Sequence, residues 1–168
     1  MDKGASELSI ILLNPGDLVS SRQMGDRITA VGLGAGVGVV AQTGAADLIC
    51  AASVALPDSA ANHRLGRTRP GYFADTAIAA IAALLNGFPE GTTEGITFKL
   101  IGGATLMTSH RTFDIGRRNL DAIHGALDKL GLAVAVADVG GNVNRSFSVE
   151  VGSGISHISA AGKGEWQI

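Results

Sequence analysis

The chain has 168 residues, 46% of them hydrophobic and 4% aromatic, and its formal net charge is −2 at pH 7. This length and apolar content fit one domain with a buried core, so we expect a single domain over residues 1–168. The balanced charge, a pI near 6.0 and the scarcity of aromatic side chains argue against binding to nucleic acid.

The start of the chain indicates neither secretion nor membrane insertion. Residues 1–7 lack the basic start of a signal peptide, and the apolar run at 10–13 is too short for a signal core or a membrane span. We therefore expect a cytoplasmic protein. Cys50 is the only cysteine, which excludes an internal disulfide and a multi-cysteine metal site. A lone cysteine of this kind is more often an inert buried thiol, and we expect no metal and no cofactor.

Short apolar runs predict strands at 8–13, 28–33, 37–42 and 48–56. Asn14-Pro15-Gly16-Asp17 predicts a turn, since Pro fixes φ and Gly permits positive φ. The following stretch, to about Asp26, predicts no regular element. The continuous apolar character of the last three runs indicates a β-meander that is buried on both faces.

Four alternating glycines lie between two of these strands, at positions 32, 34, 36 and 38. Glycine at every second position leaves one face bare, so that another backbone or a ligand can approach closely. A dinucleotide-binding loop is disfavoured, because Val37 stands at the third fingerprint glycine and a strand follows in place of a helix. The sequence predicts a binding cradle without catalytic groups, formed by Gly34, Ala35, Gly36 and Val37.

The rest of the chain alternates helices and strands. Residues 57–71 form a polar stretch with His63, Arg64, Arg67 and Arg69, which favours a solvated surface loop over an anion-binding loop. An alanine-rich helix is predicted at 73–86, with Asp75 placed to suit the helix dipole. After a loop at 88–95 and a strand at 96–101, Asp114 caps a second helix, which ends before Gly131.

Three further strands, at 132–138, 145–151 and 155–160, follow the second helix, and Trp166 in the tail packs locally or contacts a partner. Two helices against many strands predict an α/β layered sandwich on a mixed sheet. No internal repeat or low-complexity tract is present.

An ordered set of short motifs covers nearly the whole chain. The motifs are Asn14-Pro15-Gly16, Gly32-Leu33-Gly34-Ala35-Gly36-Val37, Leu56-Pro57-Asp58-Ser59, Tyr72-Phe73-Ala74-Asp75-Thr76-Ala77, Gly102-Gly103-Ala104, Ile115-Gly116-Arg117-Arg118-Asn119, Asp138-Val139-Gly140-Gly141-Asn142 and Arg145. The most specific pieces are I-G-x-R-N followed by D-x-G-G-N-x-x-R. In this order, the motifs resemble those of the chemoreceptor glutamine deamidases of the CheD family.

The resemblance implies a three-layer α/β/β sandwich and a cytoplasmic chemotaxis protein that binds chemoreceptor helices or a CheC-type phosphatase. It also implies thiol chemistry, in which a cysteine thiolate attacks a glutamine amide with the help of a histidine and a polar orienting group. Framework roles are expected for residues that match the family's other motifs: Asp75, Gly102, Gly103, Gly116, Asn119, Asp138, Gly140, Gly141 and Arg145. Asp138 and Arg145 flank a predicted hairpin and are expected to pair across it.

The three catalytic positions of the family do not carry catalytic groups here. Its cysteine position reads Gly36, its histidine position reads Ser53 and its threonine position reads Ala30. Thr29 lies one residue earlier, but a one-residue shift along a strand turns a side chain to the opposite face. The leading hypothesis is therefore a non-catalytic CheD-like binding or regulatory protein.

Two other hypotheses remain open. An active amidohydrolase would use a rearranged set, such as Ser53 with His63 or His110, which must lie within hydrogen-bonding reach of each other. Cys50 is expected on the opposite face of its strand from Ser53, and His124 and His157 lie in unrelated segments. An assembly protein would instead stack its glycine-rich surface against copies of itself.

Overall fold

The computed structural model describes residues 8–86, 95–105 and 114–168. These residues form two five-stranded sheets and a layer of helices. The outer sheet contains, in spatial order, β1 (Ile10–Leu12), β3 (Arg27–Ala30), β8 (Arg145–Glu150), β9 (Ser156–Ala160) and β10 (Gly164–Gln167). The central sheet contains β2 (Leu18–Ser21), β5 (Ile49–Val54), β4 (Val37–Gln42), β6 (Thr97–Gly102) and β7 (Val134–Val139).

Both sheets are mixed. β1 pairs with β3 in parallel and β6 pairs with β7 in parallel, while the other neighbours are antiparallel. Helices α2 (Ala74–Asn86) and α3 (Ile115–Lys129) cover the face of the central sheet that points away from the outer sheet. This mixed α/β architecture, with two main helices, confirms the predicted fold class.

The middle strands of the central sheet are buried on both faces, which explains the unbroken apolar runs of β4 and β5. Alternate residues of β4, such as Val37 and Val39, pack among the helices, whereas Val40 packs against the outer sheet. Side chains alternate along a strand, so both sets must be apolar. On β6, Phe98 likewise packs among the helices, and Ile101 packs against the outer sheet.

The predicted meander is wrong at the glycine cradle. β4 and β5 do form an antiparallel pair, but β3 belongs to the outer sheet and β4 to the central sheet. Gly32 and Gly34 adopt positive φ of 63° and 56°, and the N–H of Gly36 donates to the carbonyl of Leu33 at 2.8 Å. This tight turn carries the chain from one sheet to the other.

Sequence reasoning missed two edge strands. β2 lies in the stretch predicted to be irregular, and β10 lies in the tail. The solvated loop predicted at 57–71 is also wrong in part, because it contains helix α1 (His63–Thr68), whose N-cap Asn62 accepts a hydrogen bond from the N–H of Leu65. Residues 88–94 of the next predicted loop lie outside the described residues.

The second main helix and its caps are confirmed. The Asp114 carboxylate accepts from the N–H of Arg117 at 3.0 Å, and Gly131 follows the helix with φ of 68°. Within the described ranges, no helix is long and apolar enough to cross a bilayer.

Candidate functional site

The glycine cradle, residues 34–37, lies where the chain passes from the outer to the central sheet. The end of β6 approaches it as backbone: Gly103 N–H donates to the carbonyl of Gly36 at 2.8 Å, and Ala104 N–H donates to that of Gly34 at 2.9 Å. A Cβ on Gly102 would lie only 2.6 Å from the carbonyl oxygen of Gly36. Residues without a side chain are therefore required here, because two backbone segments of the chain contact each other directly.

The preceding part of the loop is bound from the other side by the segment that leads into β8. Gly32 N–H donates to Ser146 Oγ at 3.0 Å, and Gly34 N–H donates to Asn144 Oδ1 at 2.8 Å. Leu33 N–H donates to the carbonyl of Arg145 at 2.9 Å. Most of the loop's donors are therefore occupied within the chain, which holds the loop in one conformation.

Asn119 connects the cradle to the central sheet. Its side-chain amide donates to the carbonyls of Ala35 and Ala55, both at 3.1 Å, from a fully buried position in α3. Asn119 Oδ1 is buried and has no hydrogen-bond partner among the described residues. The helix layer thereby clamps together the cradle and the end of β5.

Of the three positions that the sequence resemblance matches to catalytic residues, Gly36 and Ser53 lie within two residues of the carbonyls that Asn119 binds. Ala30 ends β3, Gly36 precedes β4, and Ser53 lies near the end of β5, opposite Gly38. A Cβ on Gly36 would lie 2.9 Å from the carbonyl oxygen of Leu33 and 3.2 Å from that of Val54. The present turn has no space for a side chain at position 36 unless the backbone shifts.

Ser53 is buried, with 4% of its surface exposed. Its backbone is bound on the edge side, because its N–H donates to the carbonyl of Asp17 and its carbonyl accepts from the N–H of Gly16. In the described part of the chain, no hydrogen bond joins the Ser53 hydroxyl to a histidine. Ser53 therefore has no base in the geometry seen here.

The histidines of the described residues lie elsewhere. His63 begins α1, His124 lies within α3 and His157 lies on β9, all with exposed side chains. The ring of His157 contacts the amide of Gln167 at 3.2 Å. His110 lies outside the described residues.

Cys50 is fully buried on β5 and packs in the core between the central sheet and the helices. Ser53 lies three residues further along the same strand and so faces the other way. Burial raises the pKa of the Cys50 thiol to about 11, against a smaller opposite effect from the charge of Arg22. The thiol is therefore protonated at neutral pH, which is unsuited to nucleophilic attack.

Arg145 and Asp138 form the most connected polar group near the cradle. Arg145 Nη2 lies 2.9 Å from Asp138 Oδ1, and Arg145 Nη1 donates to the carbonyl of Gly140 at 2.8 Å. Trp166 Nε1 donates to Asp138 Oδ2 at 2.6 Å, which places the tryptophan in a local contact. β7 and β8 belong to different sheets, so the expected cross-strand hairpin pair is in fact a link between sheets.

The remaining framework positions serve the backbone and the loop over α2. Positive φ occurs at Gly102, Gly103, Gly140 and Gly141. Gly116 has a different role, because its Cβ would lie 2.5 Å from the carbonyl oxygen of Gly103. Asp75 accepts from the N–H and the hydroxyl of Ser59, at 3.0 and 2.6 Å, and so ties the 57–71 segment to the start of α2.

No group of three or more histidine, cysteine, aspartate or glutamate side chains among the described residues is arranged to hold a metal ion. What the site contains is a rigid backbone turn, an amide clamp and a buried hydroxyl. Such a set can position a bound group, and within the described residues neither Ser53 nor Cys50 is hydrogen-bonded to a histidine.

The family model for CheD, described as CheD chemotactic sensory transduction, matches residues 55–160, more than half of the chain. The chain belongs to the CheD family. The match covers α2, α3 and the Asp138–Arg145 pair, and it begins after Ala30, Gly36 and Ser53.

Relatives within the CheD family align over most of the chain. A protein of Syntrophotalea carbinolica, named probable chemoreceptor glutamine deamidase CheD, is 33% identical over 96% of this chain and 100% of its own length. The chemoreceptor glutamine deamidase CheD of Thermotoga maritima is 31% identical over 92% of this chain and 88% of its own. A probable deamidase of Symbiobacterium thermophilum is 30% identical, with 84% and 86% covered.

Proposed function

We propose that this CheD-family chain is a chemotaxis protein that binds chemoreceptor helices or a CheC-type phosphatase and does not deamidate glutamine. The observation that carries the proposal is the set of residues at Ala30, Gly36 and Ser53, inside a framework that is otherwise complete. A thiolate, an imidazole and an orienting hydroxyl are each replaced by a residue without that chemistry.

The size of the expected loss in kcat supports this proposal. Removal of the nucleophile from a catalytic triad lowers kcat by about a million-fold, and the loss of further members of the triad adds little. Binding does not depend on those groups, because it uses shape and surface contacts. A protein with this site would therefore retain partners and lose turnover.

Cys50 does not replace the missing nucleophile. It lies in the core beneath the helices, on the other face of β5 from Ser53, and burial holds its pKa near 11. Ser53 has no histidine within hydrogen-bonding distance in the described residues. A serine without a base is a poor nucleophile at neutral pH.

The names of the relatives favour a second candidate, an active protein-glutamine deamidase that uses a rearranged nucleophile. Those relatives are called deamidases and align with nearly the whole chain. Such an enzyme would require Ser53 and a histidine about 3 Å apart in the working state. His63 and His110 are the candidates, of which His63 lies exposed at the start of α1.

One experiment separates the two candidates. The purified chain is mixed with a chemoreceptor cytoplasmic fragment whose glutamines are intact, and the fragment is examined by co-sedimentation and by mass spectrometry. The Thermotoga maritima relative serves as the positive control. We expect co-sedimentation without conversion of glutamine to glutamate. Conversion above the no-protein background would support the second candidate, and absence of binding to both the receptor fragment and a CheC-type phosphatase would refute the first.

A further inference from the structure

In the part of the chain that the structure describes, no strand pairs with the outer edge of β1, which is one edge of the outer sheet. Ser9 and Leu13 bond to β3, since the Ser9 carbonyl accepts from the N–H of Arg27 and the Leu13 N–H donates to the carbonyl of Thr29. In a parallel pair, alternate residues bond the neighbouring strand, so the N–H and C=O groups of Ile10 and Leu12 point away from the sheet. No hydrogen bond within the described residues reaches these groups.

The same strand exposes a row of aliphatic side chains. Leu8, Ile10 and Leu12 are 70%, 70% and 61% exposed, whereas Ile11 and Leu13 of the other face contact the core between the sheets. Residues 8–13 contain no charge and no proline. Natural edge strands usually carry a charged residue or a proline, because these residues prevent pairing with another chain.

The other edges of the two sheets differ from this one. At the far end, β10 carries Glu165 and β7 carries Asp138, so each of these two edge strands bears a charged side chain. The edge strand β2 has its two aliphatic residues, Leu18 and Val19, partly buried. Open backbone and exposed aliphatic side chains occur together at β1.

We propose that β1 is the docking edge for a second copy of this chain, with the two β1 strands antiparallel about a twofold axis. This arrangement joins the two outer sheets into one continuous sheet. With the twofold axis at Ile10, the outward groups of Ile10 pair with those of Ile10 in the second copy, and those of Leu12 pair with those of Leu8 in the second copy. Because residues 8–13 are uncharged, the twofold brings no like charges into opposition and aligns aliphatic side chains across the new pair.

A helical partner does not fit this edge. The backbone groups of a helix are already bonded within the helix, so they would leave the edge of β1 unpaired. A strand satisfies them by adding to the sheet. The pairing strands are short, which places the contact at the small end of the range for specific interfaces, so the dimer is weak and depends on concentration.

The test is sedimentation velocity on the full chain over a wide range of concentrations, combined with residue-resolved amide exchange. We expect a monomer at low concentration that shifts to a dimer and goes no further. The amides of Ile10 and Leu12 should gain protection as the dimer forms. Ile10→Lys should raise the dimer dissociation constant by about tenfold or more, because the two lysines would face each other near the axis.

Two further variants distinguish pairing at the β1 edge from nonspecific hydrophobic association. Ile10→Pro removes the outward N–H without removing a bond to β3, and it should also weaken the dimer. Leu84→Lys changes an exposed aliphatic residue elsewhere in the fold, on α2 and 42% exposed, and should leave the dimer unchanged. Circular dichroism verifies that each variant is folded, and Leu12→Lys replaces any that is not.

Three results would overturn the proposal: a monomer at every concentration, association that Ile10→Lys and Leu12→Lys leave intact, or a dimer in which the amides of Ile10 and Leu12 gain no protection. Binding of the chain to phospholipid vesicles through the same aliphatic row, without dimer formation, would also overturn it. None of these measurements involves a chemoreceptor, so the outcome is independent of the proposed function.

Discussion

Asp138, on β7 of the central sheet, and Arg145, at the start of β8 of the outer sheet, form an ion pair that joins the two sheets. Asp138 Oδ1 lies 3.0 Å from Arg145 Nε and 2.9 Å from Nη2, and the two side chains are 22% and 10% exposed. The guanidinium also binds the carbonyls of Gly140 and Val143, so this pair fixes the segment that holds the glycine loop.

Removal of one partner from this pair should destabilise the fold. Arg145→Ala leaves two carbonyls without their donor, and it leaves a largely buried carboxylate with no cation beside it and a hydrogen bond from Trp166. We therefore expect a loss of about 3 kcal/mol in the free energy of unfolding. Urea denaturation measures this loss. The control is Arg117→Ala, which removes an ion pair to Asp121 whose side chains are 78% and 71% exposed. That variant should change stability by less than about 0.5 kcal/mol; equal effects of the two substitutions would refute the assignment.

Asn119 gives a second prediction, based on its role as a donor. Asn119→Asp preserves shape but replaces the amide that serves Ala35 and Ala55 with an acceptor that faces their carbonyls. We expect a loss of about 2 kcal/mol or more, since buried carbonyls lose their partners and a buried carboxylate is created. Asn62→Asp is the matched control, because its side chain only accepts a hydrogen bond at the N-cap of α1, and Asp caps as well. Urea midpoints that shift equally for both would contradict the clamp.

Cys50 should be inert in the folded chain. Its burial and a pKa near 11 predict that iodoacetamide at pH 8 gives no adduct until the chain unfolds. Intact-mass spectrometry, with and without urea, follows the reaction, and complete alkylation in urea is the control. Alkylation of the native chain at the rate of an unfolded thiol would show that Cys50 is accessible and would reopen its candidacy as a nucleophile.

Lys99 predicts a dependence of stability on pH. Lys99 is 7% exposed and its ammonium group donates to the carbonyls of Gly154 and Ile168, and burial lowers its pKa from 10.5. The unfolded chain therefore binds more protons than the folded chain between the lowered value and 10.5, so the Lys99 contribution to stability rises with pH in that window. The parent should therefore become more stable relative to Lys99→Met as the pH rises from neutral to alkaline.

The control for this comparison is Lys163→Met, which changes an exposed lysine. Its difference from the parent should stay constant over the same pH range. Urea denaturation at several pH values provides the numbers. A Lys99→Met difference that is also constant, or that changes in the opposite sense, would contradict the lowered pKa.

Local chemistry explains why the sequence predicted α3 well. Asp114 at the cap, one apolar stripe and Gly131 after the last turn are contained within a single segment, and each has one structural meaning. β4 was predicted with its exact bounds for a similar reason, because its apolar run is bounded by glycine and by a turn.

Sheet membership was not predictable from local pattern. β3 and β4 are separated by only a few residues, yet they lie in different sheets, and β7 and β8 likewise. A tight turn has the same sequence pattern whether it closes a hairpin within one sheet or connects strands of two different sheets. The pairing of Asp138 with Arg145 was anticipated, whereas its position between two sheets depends on contacts that distant strands supply.

The hydrogen-bond partners of some site residues also could not be predicted from the sequence. The motif gave Asn119 as a framework residue, but its two carbonyl partners, 84 and 64 residues away, carry no sequence signal. Arg69 appeared as one of several basic residues of a loop, whereas it bonds Asp17 at 2.7 Å and the carbonyl of Pro15 at 2.8 Å. The short edge strands β2 and β10 lack the apolar alternation by which strands are recognised.

The most direct measurement is the intact mass of a chemoreceptor cytoplasmic fragment after prolonged incubation with an excess of this chain, with the Thermotoga maritima relative in a parallel reaction. On the proposal that Gly36, Ser53 and Ala30 stand in place of the family's catalytic groups, we predict that the fragment keeps its mass with this chain. In the parallel reaction we expect the relative to convert glutamines of the fragment to glutamate. A gain in mass that corresponds to glutamate and grows with the amount of this chain, and that Ser53→Ala abolishes, would contradict the absence of catalysis.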